Sequence, residues 1–238
     1  PQQLHYANHW LDITIVIGDI PQAIKAARTF YRQGFRTFKI KIGRDFDEDI
    51  KRVGAVKKIA PRVKIILDAN QAFSADEALD FLNELKKLKI HPLLIEQPVV
   101  KTDWDGLARI TRDSTVKVCA DESVGSLKDA AFAIKQKAVK VINIKFMKTG
   151  IFEAQKIVKL AVKHKIELML GSMMESPLSA LAAAHFAGGS GLFKYVDLDT
   201  PFFLKGNAFE QAHLSPNGVY QLKKVKQGIG VILDVKED

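Results

Sequence analysis

The 238-residue sequence has a single cysteine and no long apolar run. Cys119 has no partner in the chain, which excludes a disulfide-stapled scaffold. The apolar runs are shorter than the roughly 18 residues that a membrane-spanning helix needs. The opening residues, Pro1-Gln2-Gln3, have neither the basic nor the apolar region of a signal peptide. We therefore expect a cytoplasmic protein with no membrane partner.

Apolar and charged residues, in contrast, are plentiful. The hydrophobic fraction is 47% and the charged fraction 26%, which excludes global disorder. The net charge of +9 raises the question of nucleic-acid binding. However, the lysines are scattered, no basic block of five or more occurs, and aromatic residues do not alternate with basic ones. We therefore expect a small-molecule substrate and no nucleic-acid partner.

Short β-branched runs alternate with helical patterns along most of the chain. The runs predict eight strands, at 12–17, 37–42, 64–69, 93–96, 116–121, 141–145, 167–170 and 195–198. The periodic segments between them predict seven helices, at 21–33, 46–60, after Ser74, at 104–112, from Ser126 to about 137, at 151–164 and at 177–187. Ser74 and Glu77 have the spacing of a capping box.

This alternation indicates an α/β protein with a parallel sheet and helices on its face. Eight units favour closure into a modified TIM barrel. A doubly wound open sheet is the alternative, but no glycine-rich phosphate fingerprint follows the first strand. The eighth helix is missing, so we predict a (β/α)₇β barrel over residues 1–204. A C-terminal segment, 205–238, is predicted to contain loops and short strands at 218–222 and 230–233.

Three acidic residues end three successive predicted strands. Asp68, Glu96 and Asp121 are 28 and 25 residues apart, close to one β/α unit each. Carboxylates brought together at the C-terminal end of a barrel repel one another unless a cation lies among them. Oxygen-only ligation suits Mg²⁺, with Mn²⁺ as the alternative. The competing interpretation is that these acids cap the helices that follow.

Lysines flank this predicted metal site on both sides. Lys39 and Lys41 alternate with apolar residues on the second strand, so both point into the barrel. Lys145 ends the sixth strand, with Asn143 on the same face. A lysine that reaches solvent at the strand edge is the alternative for Lys145. Two opposed lysines near a cation suggest proton removal from one face of a carbon and delivery to the other, which is racemisation or epimerisation.

The motifs around these residues resemble the enolase superfamily, in its muconate lactonizing enzyme subgroup, and within it the dipeptide epimerases. The resemblance covers about residues 12–204 and rests on Lys39-Ile40-Lys41, Asp68-Ala69-Asn70, Glu96-Gln97-Pro98, Asp121-Glu122-Ser123 and the segment from Asn143 to Lys148. It implies the superfamily's pairing of a lysine base with Mg²⁺. It also implies that Lys41 is an acid/base tuned by Lys39, that Lys145 is the opposite acid/base, and that the barrel is of the (β/α)₇β type.

The substrate class depends on Asp197 and Asp199, which share a face at the end of the eighth strand. Two carboxylates there suit a cationic group, and the resemblance implies contact with the ammonium of a dipeptide. The alternatives are that they cap a turn before Pro201 or pair with lysines. We expect Ser172 and Asn70 to line the substrate pocket.

In the superfamily an N-terminal α+β capping domain precedes the barrel, and the C-terminal segment runs back to it. This chain starts almost at the first barrel strand. We therefore expect the 238 residues alone to have little or no activity. Either the cap is on a separate chain, or the sequence is a fragment, or its numbering begins after a removed part. The expected partner is a capping-domain chain or a homo-oligomer. Two alternatives stay open: another reaction of the superfamily, such as o-succinylbenzoate synthesis or cycloisomerisation, and an inactive barrel that serves as a scaffold.

Overall fold

The computed structural model describes residues 13–15, 18–204 and 213–231. Its strands are β1 (Ile13–Ile15), β2 (Thr37–Lys41), β3 (Lys64–Asp68), β4 (Leu94–Glu96), β5 (Lys117–Ala120), β6 (Val141–Ile144), β7 (Glu167–Gly171) and β8 (Phe193–Asp197). Its helices are α1 (Ile20–Gln33), α2 (Phe46–Ile59), α3 (Ala75–Lys87), α4 (Trp104–Asp113), α5 (Leu127–Lys135), α6 (Phe146–Lys163) and α7 (Pro177–Ser190).

The strands form one parallel sheet in the order β1 to β8. The two edges of this sheet meet. Asp199, just beyond β8, accepts a hydrogen bond from the backbone N–H of Thr14 on β1, at 2.7 Å. Asp197 on β8 contacts Lys39 on β2. The predicted (β/α)₇β barrel is therefore confirmed, and the sheet register sets Lys41 opposite Asp68 and Asp68 opposite Glu96.

Two apolar layers hold the barrel together. The larger layer lies between the sheet and its surrounding helices. The smaller one fills the inside of the barrel with buried side chains from six strands: Ile66, Leu94, Cys119, Val141, Met169 and Tyr195. Burial raises the pKa of the Cys119 thiol well above its ordinary value, and a buried apolar setting makes a cysteine unreactive. Cys119 is thus a core residue.

The helix starts follow from local sequence. An aspartate or serine precedes six of the helices in the described residues, and its side chain accepts a hydrogen bond from a backbone N–H of the first turn. The predicted capping box is confirmed, since Ser74 and Glu77 bond each other's backbone N–H groups. Asp68, Glu96 and Asp121 are not among these capping residues.

One helix differs from its prediction. α6 begins at Phe146, whereas the pattern predicted a start at Ile151. Gly150 divides it, with φ 65° and ψ 175°, a conformation that only glycine adopts without strain. A separate first turn, residues 146–149, therefore precedes the main helix. The apolar periodicity begins only after this turn, so the pattern missed it.

The described part of the C-terminal segment, residues 213–231, packs on the barrel. The Tyr220 hydroxyl donates to the Leu198 carbonyl at 3.0 Å, and Gly218 lies against the ring of Phe35. The predicted strand at 218–222 is wrong, because only an isolated antiparallel bridge joins Leu214 to Tyr220. The segment is held by side-chain packing instead. Residues 12, 16 and 17 of the first predicted strand, and 232–233 of the last, lie outside the described residues.

None of the helices in the described ranges combines the length and apolar character needed to cross a membrane.

Candidate active site

The charged residues predicted from the strand ends form one cluster at the C-terminal end of the barrel. Most of them are buried. The members that are no more than 9% exposed are Lys39, Asp68, Glu96, Asp121, Lys145, Asp197 and Asp199. Burying charged groups is favourable only when they compensate one another, so their mutual contacts decide what the cluster can do.

Lys39 stands at the centre of the cluster. Its Nζ donates to Asp197 Oδ2 at 2.6 Å. The same Nζ lies 2.8 Å from Glu96 Oε2 and 3.0 Å from Asp68 Oδ2. Burial alone lowers the pKa of Lys39, but the charges of Asp197, Asp68 and Glu96 outweigh it and raise the pKa well above its ordinary value. Lys39 is therefore a fixed positive charge among the acids.

Lys41 lies nearer to the barrel mouth than Lys39. Its side chain is 28% exposed, and its Nζ contacts Asp68 Oδ2 at 2.6 Å and Asn70 Oδ1 at 2.7 Å. Asn70 has a left-handed backbone, with φ 42°, and its amide also donates to Glu122 Oε1 at 3.3 Å. Strained backbone of this kind is concentrated at functional sites. Asn70 thus orients the free end of Lys41.

Lys145 lies on the opposite side of the cluster, against the third acid. Its Nζ donates to Asp121 Oδ2 at 2.6 Å. Burial lowers the pKa of Lys145, but Asp121 and Glu96 raise it by more, so the net shift is upward. Lowering this pKa requires further positive charge to compensate these two carboxylates.

The carboxylates divide into two groups by the direction of their pKa shifts. Burial and the charge of Asp68 raise the pKa of Glu96 to about 8. Burial also acts to raise the pKa of Asp68 and of Asp121, but neighbouring lysines outweigh it in both cases and the net shift is downward. Glu96, between the other two acids, is therefore the point where negative charge is least compensated.

The cluster offers only oxygen ligands to a cation. In the described part of the chain, no three acidic, histidine or cysteine side chains are arranged around one point, and Lys39 contacts both Asp68 and Glu96. Buried oxygens are nevertheless in excess. Glu96 Oε2 and Asn143 Oδ1 accept no hydrogen bond of regular geometry, although Lys39 lies close to the former. This donor set fits Mg²⁺, and the metal site of Asp68, Glu96 and Asp121 stays a prediction.

The two acids at the end of β8, Asp197 and Asp199, are buried and have hydrogen-bond partners. Asp197 contacts Lys39, as the alternative interpretation of this pair anticipated. Asp199 accepts from the Thr14 backbone, and burial together with the charge of Asp197 raises its pKa to about 7. Its side chain does not cap the short 3-10 turn at Thr200–Phe202. Ser172 donates to the Asp197 carbonyl at 3.1 Å, so it borders the same corner of the site.

With this geometry in hand, the chain can be compared with known proteins. Residues 22–238 match the family described as "Enolase C-terminal domain-like". The chain belongs to this family. The resemblance drawn from its strand-end motifs is thereby confirmed.

Known relatives of this enolase C-terminal domain-like chain are dipeptide epimerases and related enzymes. The hydrophobic dipeptide epimerase of Citrifermentans bemidjiense is 52% identical over 223 residues, which cover 92% of this chain and 61% of that protein. A mandelate racemase/muconate lactonizing enzyme from Roseiflexus sp. superposes with a TM-score of 0.94 and 40% identity, over 98% of this chain and 67% of that one. A dipeptide epimerase from Enterococcus faecalis, complexed with Mg and L-Leu-L-Tyr, gives a TM-score of 0.88 and 33% identity, over 95% and 64%. The chain thus spans about three fifths of the length of these dipeptide epimerases.

The site of this family member contains a buried amide that the sequence argument overlooked. Gln97 Oε1 accepts from the backbone N–H groups of Asp121 and Ser123, at 3.0 and 3.1 Å. Its Nε2 donates to Ser123 Oγ at 2.8 Å and to the Val99 carbonyl at 3.0 Å. Gln97 therefore ties the end of β4 to the loop after β5. The position of Gln97 directly after the predicted metal ligand Glu96 could have indicated this role.

Lys148 is the second residue that the sequence argument left without a role. Its Nζ lies 2.6 Å from Asp121 Oδ1 and 2.5 Å from the Asp121 carbonyl. The turn that Gly150 separates from α6 brings this lysine back toward β5. Asp121 thus binds Lys145 with one oxygen and Lys148 with the other, which explains its lowered pKa.

Proposed function

We propose that this barrel carries the active site of an epimerase that inverts the carbon next to a carboxylate, with a dipeptide as substrate. One observation carries the proposal. Lys41 is the last residue of β2 and Lys145 directly follows β6, two strands that face each other across an eight-stranded barrel, and each lysine contacts an acid of the cluster between them. The names of the relatives support a dipeptide rather than another carboxylate.

The proton route follows from the two opposed lysines. A neutral lysine on one face takes the proton α to the carboxylate, and the C–H electron pair stays on the substrate as an enolate. The protonated lysine on the other face then gives a proton to the same carbon. The configuration inverts, and Lys41 and Lys145 have exchanged protonation states. The reverse reaction uses them in the opposite order.

We propose that Asp68, Glu96 and Asp121 hold Mg²⁺, with Mn²⁺ as the alternative. Positive charge at this position stabilises the negative charge that develops on the substrate carboxylate. The support is the all-oxygen donor set and the poorly compensated charge at Glu96. Lys39, in contact with Glu96 and Asp68, acts to lower the pKa of both acids and adds positive charge near Lys41.

The remaining assignments concern the substrate and the rest of the protein. Asp197 and Asp199 are proposed to attract the substrate ammonium, with Ser172 and Asn70 lining the pocket. We also propose that residues 1–204 are the catalytic barrel and that 205–238 reach toward a capping domain, with a capping-domain chain or a homo-oligomer as the partner. A location in the cytoplasm stays a prediction.

The test is α-proton exchange into D₂O, followed by ¹H NMR on the protein that carries this chain. The substrates are L-Leu-L-Tyr and L-Leu-D-Tyr with Mg²⁺, and L-Ala-L-Glu tests the breadth of the dipeptide class. Lys41→Ala is expected to lower exchange of one epimer of the Leu-Tyr pair, and Lys145→Ala that of the other, by about a hundredfold to ten-thousandfold.

Lys117→Ala, at the opposite end of the barrel, is the matched control and is expected to exchange both epimers normally. The proposal is wrong if wild-type protein exchanges neither epimer. It is also wrong if Lys41→Ala and Lys145→Ala both exchange both epimers at the wild-type rate.

A further inference from the structure

A second buried ion pair lies outside the cluster, on the helix that follows β2. Asp49 and Arg52 are three residues apart on α2 and contact each other directly. Asp49 is 0% exposed and Arg52 is 3% exposed. A buried ion pair adds little stability by itself, because the cost of removing two charges from water offsets their attraction. The other hydrogen bonds of the pair therefore indicate its role.

Arg52 binds the backbone of the proposed acid/base. Its Nη2 donates to the carbonyl oxygen of Lys41 at 2.9 Å, and its Nη1 lies 3.4 Å from the Gly18 carbonyl, before α1. The planar guanidinium holds several acceptors in fixed directions. A side chain of α2 thus holds the C-terminal end of β2 through its backbone.

Asp49 binds the turn that follows Lys41. Its Oδ2 accepts from the backbone N–H groups of Gly43 and Arg44, at 2.5 and 3.1 Å. Gly43 has φ 98°, and a Cβ there would collide with Ala72 and approach the Ala69 carbonyl. The turn is therefore pressed against the loop after β3.

The end of β3 and the loop that follows it carry the two partners of the Lys41 ammonium. Asp68 and Asn70 hold its Nζ, and the Ile42 N–H donates to the Asp68 carbonyl at 2.9 Å. The backbone of Lys41 and the loop that receives its side chain are consequently fixed against each other. The Asp49–Arg52 pair binds the backbone of Lys41 and of the turn after it, and this turn packs on the loop after β3.

We propose that Asp49 and Arg52 are positioning residues for Lys41, which keep its Nζ aligned for proton transfer on one face of the substrate. This inference rests on the proposed function. Lys145 has a different arrangement, because its carbonyl accepts from the backbone N–H groups of Lys148 and Thr149 in its own following turn. The pair therefore acts on one of the two proton transfers, and its loss should be selective for one epimer.

The experiment compares Arg52→Lys and Arg52→Met with wild type, using exchange of L-Leu-L-Tyr and L-Leu-D-Tyr in D₂O with Mg²⁺. We expect both variants to lose exchange of the epimer that depends on Lys41, by between about tenfold and about a hundredfold. Exchange of the other epimer should stay close to wild type. The ratio between epimers does not depend on how much of a variant folds. Lys51→Gln, which removes an exposed pair with Glu48 on the same helix, is the matched control.

A second measurement needs no activity. Amide hydrogen exchange, read by mass spectrometry, should be faster at residues 42–44 in Arg52→Met and unchanged in Lys51→Gln. Unchanged protection of this segment overturns the proposal, and so does an equal loss of exchange for both epimers. If the Lys41→Ala and Lys145→Ala reference variants do not separate the two epimers, the proposed function fails, and the amide measurement still decides whether the pair holds the end of β2.

Discussion

The two ends of the barrel carry the same types of charged residue in different settings. At the N-terminal end, Glu167 contacts Lys117 and Lys194 at 2.6 and 2.7 Å, and accepts from the Tyr195 hydroxyl at 3.0 Å. At the C-terminal end, Glu96 lies in the buried cluster beside Lys39. The apolar layer inside the barrel lies between the ends.

Burial and the neighbouring charges give these two glutamates opposite properties. The Glu167 side chain is 29% exposed. Burial acts to raise its pKa, but hydrogen bonds from Lys117, Lys194 and Tyr195 outweigh it and the net shift is downward. Glu96 is fully buried and lies near two further acids, so its pKa is raised to about 8. The same pairing of lysine and glutamate is thus a partly exposed network with compensated charges at one end and a buried cluster with excess negative charge at the other.

The largest difference between the two ends is expected when a lysine is removed from each. Lys39→Met leaves Asp68, Glu96 and Asp197 buried without their shared counter-charge, so we expect a loss of about 3–5 kcal/mol in the free energy of unfolding. Lys194→Met removes an exposed partner of Glu167 and should cost about 1 kcal/mol or less. Urea unfolding in EDTA measures both. Equal losses in the free energy of unfolding for the two variants would show that burial does not make the ion pairs of the two ends energetically different.

The two ends should also respond to pH in opposite directions. The pKa of Asp199 is about 7 in the folded protein, above its ordinary value of 3.8. Folded protein therefore holds this proton more tightly than unfolded protein. Stability should fall as the pH rises from about 4 to about 7, by up to about 4 kcal/mol relative to Asp199→Asn.

Glu167 has a lowered pKa, so its contribution is present above its ordinary pKa and is lost as the pH falls. Urea unfolding of Asp199→Asn, Glu167→Gln and wild type across this pH range measures both slopes. If the difference in the free energy of unfolding between variant and wild type changed with pH in the same direction for both variants, the predicted opposite pH responses of the two ends would be wrong.

A smaller effect should follow from the proposed cation. Mg²⁺ at about a hundred times its dissociation constant is expected to raise the free energy of unfolding by about 2.7 kcal/mol. Glu96→Gln should abolish this gain, because it removes a proposed ligand, and Glu167→Gln should retain it. Calorimetric melting temperatures with Mg²⁺ and with EDTA test this. A full gain in Glu96→Gln would place the cation elsewhere.

Much of the fold could be predicted because its signals are local. Alternating apolar runs gave the eight strands, and Ser74 with Glu77 marked a helix start before any contact was known. The strand-end acids could also be predicted to lie together, because all strands of a parallel barrel end at the same face.

What the sequence could not supply depends on packing between distant segments. Asp49 and Arg52 have the spacing of an ordinary surface pair on a helix, and only the packing of α2 against the end of β2 shows that they are buried. The upward pKa shift of Lys145 likewise depends on which charges surround it. Lys148 was hidden because Gly150 redirects the first turn of α6.

The contact between Asp199 and Thr14 has a consequence for the order of folding. Neighbouring strands from β1 to β8 are joined by backbone ladders, whereas in the described residues no ladder joins β8 to β1. In the part of the chain that the structure describes, a hydrogen bond from the Thr14 N–H to the Asp199 carboxylate joins the two edges, across 185 positions of the chain. Contacts of such long range are slow to form. We therefore expect the barrel to close here late in folding, so that the rim of the candidate active site is completed in the same event that finishes the fold.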